Sequence, residues 1–195
     1  MNSTPSSLPF DIPERLVFTA CYDLPFQDAR TGAGTASRRL HAIIENWCAS
    51  TVIAVQTGYP QMAVNSLNNG GYQLPDRVAN GSLPANQRPY RHWFNTSLDP
   101  PDPARAFAIP ALYQYGNSGF DILRGPGLAS ADAALGRRFS VGERLRLQMR
   151  LDVFNLLNQT NLALPNWVLG VESAGVISHT STSARQLEVL ARVEW

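Results

Sequence analysis

The sequence predicts an all-β chain of antiparallel strands, and three observations carry that prediction. The first is Arg144 to Val153, RLRLQMRLDV, which alternates without a break. Leu145, Leu147, Met149, Leu151 and Val153 fall on one face, and Arg144, Arg146, Gln148, Arg150 and Asp152 on the other. A helix would scatter both sets around its circumference; only a period of two separates them. The second lies just upstream. Ala131, Ala133 and Leu135 alternate with Asp132, Ala134 and Gly136, and Ser140-Val141-Gly142-Glu143 follows as a short turn, so the two segments read as a hairpin. The third is the end of the chain. Leu187, Val189, Ala191, Val193 and Trp195 share one face, and Gln186, Glu188, Arg192 and Glu194 the other, with Leu190 the exception.

The elements follow in order. Residues 1–14 are polar and punctuated by proline, which reads as a loop. Strands are expected near 15–24, 46–57, 129–139, 144–155 and 185–195. The first sets Leu16, Phe18, Ala20, Tyr22 and Leu24 on one side and stops at Pro25. The second alternates Trp47, Ala49, Thr51, Ile53 and Val55 with Cys48, Ser50, Val52, Ala54 and Gln56. Between them, Gly32, Gly34 and small polar residues predict a flexible connection. Residues 58–128 are rich in Pro, Asn and Gly and sustain neither period, as is also the case for 156–184. Loops of that length are rare inside compact domains. Tyr90, Trp93, Phe94, Tyr113 and Tyr115 fall in the longer one and are expected to serve its own packing.

Composition narrows the function classes. Charged residues make up 16% of the 195-residue chain, below the roughly 25% of average soluble domains. The net charge of +1 gives no global attraction to nucleic acid. No apolar run approaches the ~20 residues of a membrane helix. Met1 to Ser7 holds no basic segment and no apolar stretch follows, so no signal peptide is read, and the opening resembles the middle of a longer protein.

Catalytic and metal signals are poor. Gly32-Ala33-Gly34 is not followed by the Gly-Lys-Ser/Thr of a phosphate loop. His41 and Glu45 stand at helical spacing but nothing completes a site, and His92 and His179 are isolated. Asp99-Pro100-Pro101-Asp102 reads as a loop. Asn2, Asn80, Asn95 and Asn158 head Asn-x-Ser/Thr triplets, which matter only in a glycosylating pathway. No nucleophile, base and oxyanion site assemble. The expectation is therefore a non-enzyme with no catalytic residue, cofactor or metal. Cys21 and Cys48 are expected to be incidental strand residues rather than a staple.

The connections alternate: moderate, very long, very short, long. Outer-membrane barrels have short turns at one end, long loops at the other, and strands of about ten residues that alternate apolar-out with polar-in. Beside that pattern, several stretches match a known family in order along the chain. These are Tyr22-Asp23-Leu24-Pro25-Phe26, Val55-Gln56-Thr57-Gly58-Tyr59-Pro60, Gly116-Asn117-Ser118-Gly119, Leu123-Arg124-Gly125-Pro126-Gly127, Ala131-Asp132 to Arg138-Phe139, Asp152-Val153-Phe154-Asn155-Leu156-Leu157-Asn158 and the final aromatic strand. As a series they resemble the C-terminal end of a TonB-dependent outer-membrane transporter of the Oar-like group.

The resemblance implies that 1–195 is the C-terminal part of a transmembrane barrel domain with long extracellular loops, its plug and N-terminal strands absent. It implies a parent in the cell outer membrane that takes up a bulky solute. Leu145, Leu147, Met149, Leu151, Val153, Leu187, Val189, Ala191 and Val193 would face outer-membrane lipid, and Trp195 would be read by the barrel-assembly machinery. The TonB complex would act through the missing plug. The alternative is a soluble all-β extracellular binding module or adhesin using the long loops.

Overall fold

The computed structural model describes residues 11–24, 46–66, 71–98, 105–141 and 145–195. The expectations at Asn2, Gly32 to Gly34, His41, Glu45, Asp99 to Asp102, Arg144 and the Gly142-Glu143 half of the turn fall outside those residues, whereas Ser140 and Val141, expected in the turn, are strand residues. In chain order the strands are β1 (Arg15–Asp23), β2 (Trp47–Gln56), β3 (Pro60–Gln61), β4 (Val64–Asn65), β5 (Asp76–Arg77), β6 (Phe107–Ala108), β7 (Leu123–Arg124), β8 (Leu128–Val141), β9 (Leu145–Phe154), β10 (Val168–Leu169) and β11 (Gln186–Glu194). They divide between two compact units.

The first unit comprises Leu16–Val55, Ala129–Gln159 and Ser183–Trp195. It holds a five-stranded sheet in the order β1-β2-β8-β9-β11. The β8–β9 hairpin pairs antiparallel from Ala133↔Val153 to Val141↔Leu145. β11 pairs antiparallel with the other side of β9, from Gln186↔Phe154 to Glu194↔Arg146. The Arg138 N–H donates to the Asn46 carbonyl and the Thr51 hydroxyl to the Asp132 carbonyl, so β2 runs antiparallel to β8. At the far end of the β1–β2 pair the Leu24 N–H donates to the Trp47 carbonyl at 2.9 Å.

Each strand lies within two residues of its expected position. The reason is physical: a strand with one apolar and one charged face has a single register that keeps both faces intact, since a slip of one residue inverts them. Every residue of β11 is exposed, and in β1 only Ala20 is half-buried.

The second unit gathers Met1–Arg15, Gln56–Leu128 and Thr160–Thr182. These are the segments in which no period was found, and they nevertheless have a core. Ala63, Phe94, Ala106, Phe107, Leu123 and Leu169 are buried together, with Trp93, Leu98 and Ile122 packed against them. Two-residue ladders tie the segments: β3 to β7 and β5 to β6 antiparallel, and β10 to β4 in parallel. Backbone approach is close at two glycines. A Cβ on Gly58 would stand 1.9 Å from the Gly125 carbonyl oxygen, and one on Gly116 would stand 2.1 Å from that of Leu74.

Candidate functional site

The candidate site is the pair of faces of the sheet. The register sets the expected apolar residues side by side. Across β8, β9 and β11, Leu135, Leu151 and Val189 form one row, and Phe139, Leu147 and Val193 another. Ala133, Val153 and Leu187 make a third. Alternation within a strand is a sequence property; alignment between strands is not, and here it makes one continuous apolar surface. Its residues on β11 stay exposed, with Leu187 at 65%, Val189 at 76% and the adjoining Trp195 at 94%, while Leu147, Leu151 and Val153 in the middle strand are half-buried. A shallow furrow of about 450 Å³ runs across this face, lined by Ala20, Tyr22, Ala49, Thr51, Ala133 and Leu135 among others. An exposed apolar surface of this continuity marks a site of burial against something apolar.

The opposite face is polar along the same rows. Arg138, Gln148 and Arg192 align, as do Ala134, Asp152 and Glu188. Arg150 is clamped by its strand neighbour, its Nε–H reaching both oxygens of Asp152 at 2.8 and 3.0 Å. Arg192 reaches Glu194 at 3.0 Å. These pairs contribute little energy while exposed, but they show how the cations expected from the sequence are accommodated. A trough of about 950 Å³ lies along this face, walled by Cys21, Cys48, Arg138, Gln148, Arg150 and Arg192 among others. Leu190, the exception in the final strand, sits opposite Arg150 on it.

Arg137 was not singled out by sequence reasoning. It pairs with Met149 and so belongs to the apolar face. Its guanidinium lies 4.9 Å from the Phe139 ring centroid and 5.6 Å from that of Trp47. A cation on apolar surface is tolerated where its stem packs and its head stacks on aromatic rings. The signal was the Arg137-Arg138 dipeptide: in a strand, two adjacent cations must take opposite faces.

The end of β9 is held by Asn155, which is buried and has φ of 50°. Its N–H donates to Asp132 Oδ1 at 2.8 Å. Its side-chain amide donates to the Gln159 and Ser183 carbonyls, both at 3.0 Å, and its Oδ1 accepts from the Gln159 N–H. Asn158 adds a bond from the Arg185 N–H to its Oδ1. The Asn155 to Asn158 stretch therefore anchors both ends of the connection that leaves β9 and returns at β11.

The loop aromatics divide. Phe94 is in the second unit's core and the Trp93 indole N–H donates to the Arg124 carbonyl at 2.8 Å, as self-packing predicts. Tyr113 and Tyr115 are almost fully exposed, at 89% and 87%, and do no packing. Asn80 and Asn95, which head glycosylation triplets, accept hydrogen bonds from Ser82 and Ser97 two residues on, which is turn chemistry. Among the described residues no cluster of His, Cys, Asp and Glu is arranged to hold a metal. Cys21 and Cys48 are free thiols with sulfurs 3.4 Å apart.

A two-faced antiparallel sheet, apolar on one side and charged on the other, has the pattern of a barrel wall that separates lipid from water. The family comparison agrees: a family model described as an outer membrane beta barrel domain matches residues 1–188. The chain belongs to that family and is an outer-membrane β-barrel protein. No curated protein and no solved structure matches it.

Proposed function

We propose that this chain is the C-terminal part of the barrel of a TonB-dependent outer-membrane transporter, of the Oar-like group, that takes up a bulky solute. The observation that carries the reading is the alignment of apolar rows across β8, β9 and β11, opposite a face lined with arginine and carboxylates. In that role Leu145, Leu147, Met149, Leu151, Val153, Leu187, Val189, Ala191 and Val193 meet outer-membrane lipid. The charged face meets the water and plug of the lumen, as in barrels of about 22 strands with a plugged interior. Trp195 is the aromatic recognised by the assembly machinery.

The placement of the connections supports the same reading. The joins β2–β8 and β9–β11 leave one end of the sheet, and both are long; the joins β1–β2 and β8–β9 leave the other. The long pair is extracellular, and the solute meets it first. Energy comes from the TonB complex through a plug encoded by the intact gene. Nucleic acid has no place in this scheme.

The test uses the intact gene product, purified from outer membranes. It is expected to capture the periplasmic domain of TonB and to lose that capture when the plug segment is deleted. A product that carries no plug and never captures TonB would overturn the transporter assignment while leaving the barrel intact.

A further inference from the structure

We propose that Cys21 and Cys48 are a dithiol that closes into an interstrand disulfide on the charged face of the sheet. The thiols were expected to be incidental, because alternation alone assigns them a face and not a distance. The structure supplies the distance. The Leu24–Trp47 hydrogen bond sets the β1–β2 register, and Cys21 and Cys48 become diagonal neighbours on adjacent strands. Diagonal positions on one face lie about 7–8 Å apart, and here the two side chains lean toward each other across that gap. Their sulfurs stand at 3.4 Å, in contact with nothing between them. Bond formation requires the sulfurs to close from 3.4 Å to about 2.05 Å, with the β1–β2 pairing already made.

Access is also present. Cys21 is exposed and Cys48 half-buried, and both wall the same open trough. The oxidant is an oxidised dithiol protein of the compartment between the two membranes, where disulfides form and persist; for that oxidant the inference rests on the outer-membrane reading. The Cys21 thiolate attacks one sulfur of the oxidant's disulfide and expels the other as a thiolate. The Cys48 thiolate then attacks the Cys21 sulfur of the mixed disulfide and expels the oxidant's second sulfur. Two thiols and one disulfide become one disulfide and two thiols, and the two protons pass to the reduced oxidant. The product ties β1, at the edge of the sheet, to β2 across the chain between residues 21 and 48.

The test takes cells carrying the intact gene, quenched with N-ethylmaleimide, and isolates the protein from outer membranes without reductant. The chain has no Lys, so trypsin releases Cys21 in residues 16–30 and Cys48 in residues 40–77. The expected result is a linked 16–30/40–77 peptide pair that separates on reduction. In the Cys21→Ser variant the 40–77 peptide should instead carry maleimide. Both peptides found unlinked and maleimide-labelled in the unmutated protein would overturn the inference. A product recovered outside the outer membrane would count against the membrane reading alone. The same digest of that purified product after diamide then decides the pair, linkage upholding it and double labelling refuting it.

Discussion

Asn155 turns the chain out of β9 in a backbone conformation that asparagine tolerates better than most residues. Asn155→Ala removes two donors and an acceptor from a buried site and leaves alanine at positive φ. It should cost about 2–4 kcal/mol in the intact barrel, read as a lower midpoint of heat modification. Asn155→Gly keeps the conformation and loses only the bonds, so its cost should be smaller. The lipid-facing assignment is tested at Leu151, between Leu135 and Val189 in the middle of the apolar rows. Leu151→Arg should destabilise the intact barrel by about 2–4 kcal/mol if it lies at the bilayer midplane. Glu188→Arg, on the charged face opposite Asp152, should stay within about 0.5 kcal/mol or stabilise slightly. Equal effects of the two substitutions in urea unfolding would remove the basis for the assignment. Gln148 is a poor control, because an arginine there would join Arg138 and Arg192 in one row. At this scale the sequence was half legible: faces follow from alternation, whereas the arginine row and the thiol contact depend on a register that no single strand contains.

At the scale of elements, the five long strands were legible because each repeats its two-residue period enough times to exclude a helix. The ladders of the second unit were not, since strands of two residues contain one period and cannot be told from coil. Their core residues are spread singly through proline-rich sequence, and only the fold brings Ala63, Phe107 and Leu169 together. Glycines were the legible trace. Gly58 lies so close to the Gly125 carbonyl that Gly58→Ala must displace backbone, and the loops of intact cells should become more sensitive to protease. β11 carries the other element-scale prediction. Its last neighbour Trp195 is 94% exposed among the described residues, so deleting it should leave the sheet's pairing unchanged. If the assembly machinery reads it, the deletion lowers the amount of heat-modifiable barrel in the outer membrane; unchanged assembly would refute that role.

At the scale of the molecule, the sheet of the described residues ends in two edges, β1 and β11, with large apolar residues exposed on one face. In lipid each unpaired backbone group costs several kcal/mol, and in water such edges and surfaces associate. Residues 1–195 expressed alone should therefore be recovered as insoluble or degraded material. A soluble monomer with a cooperative thermal transition would instead favour a soluble binding module. The parallel pairing of β10 with β4 has a different reach. It joins segments from two separate connections, and Leu169 from one completes a core otherwise built by the other. Those connections cannot diverge independently in descent. A lineage that remodels 58–128 to meet a new solute must carry a compensating change near Leu169, and a graft that exchanges one connection without its partner inherits half a core.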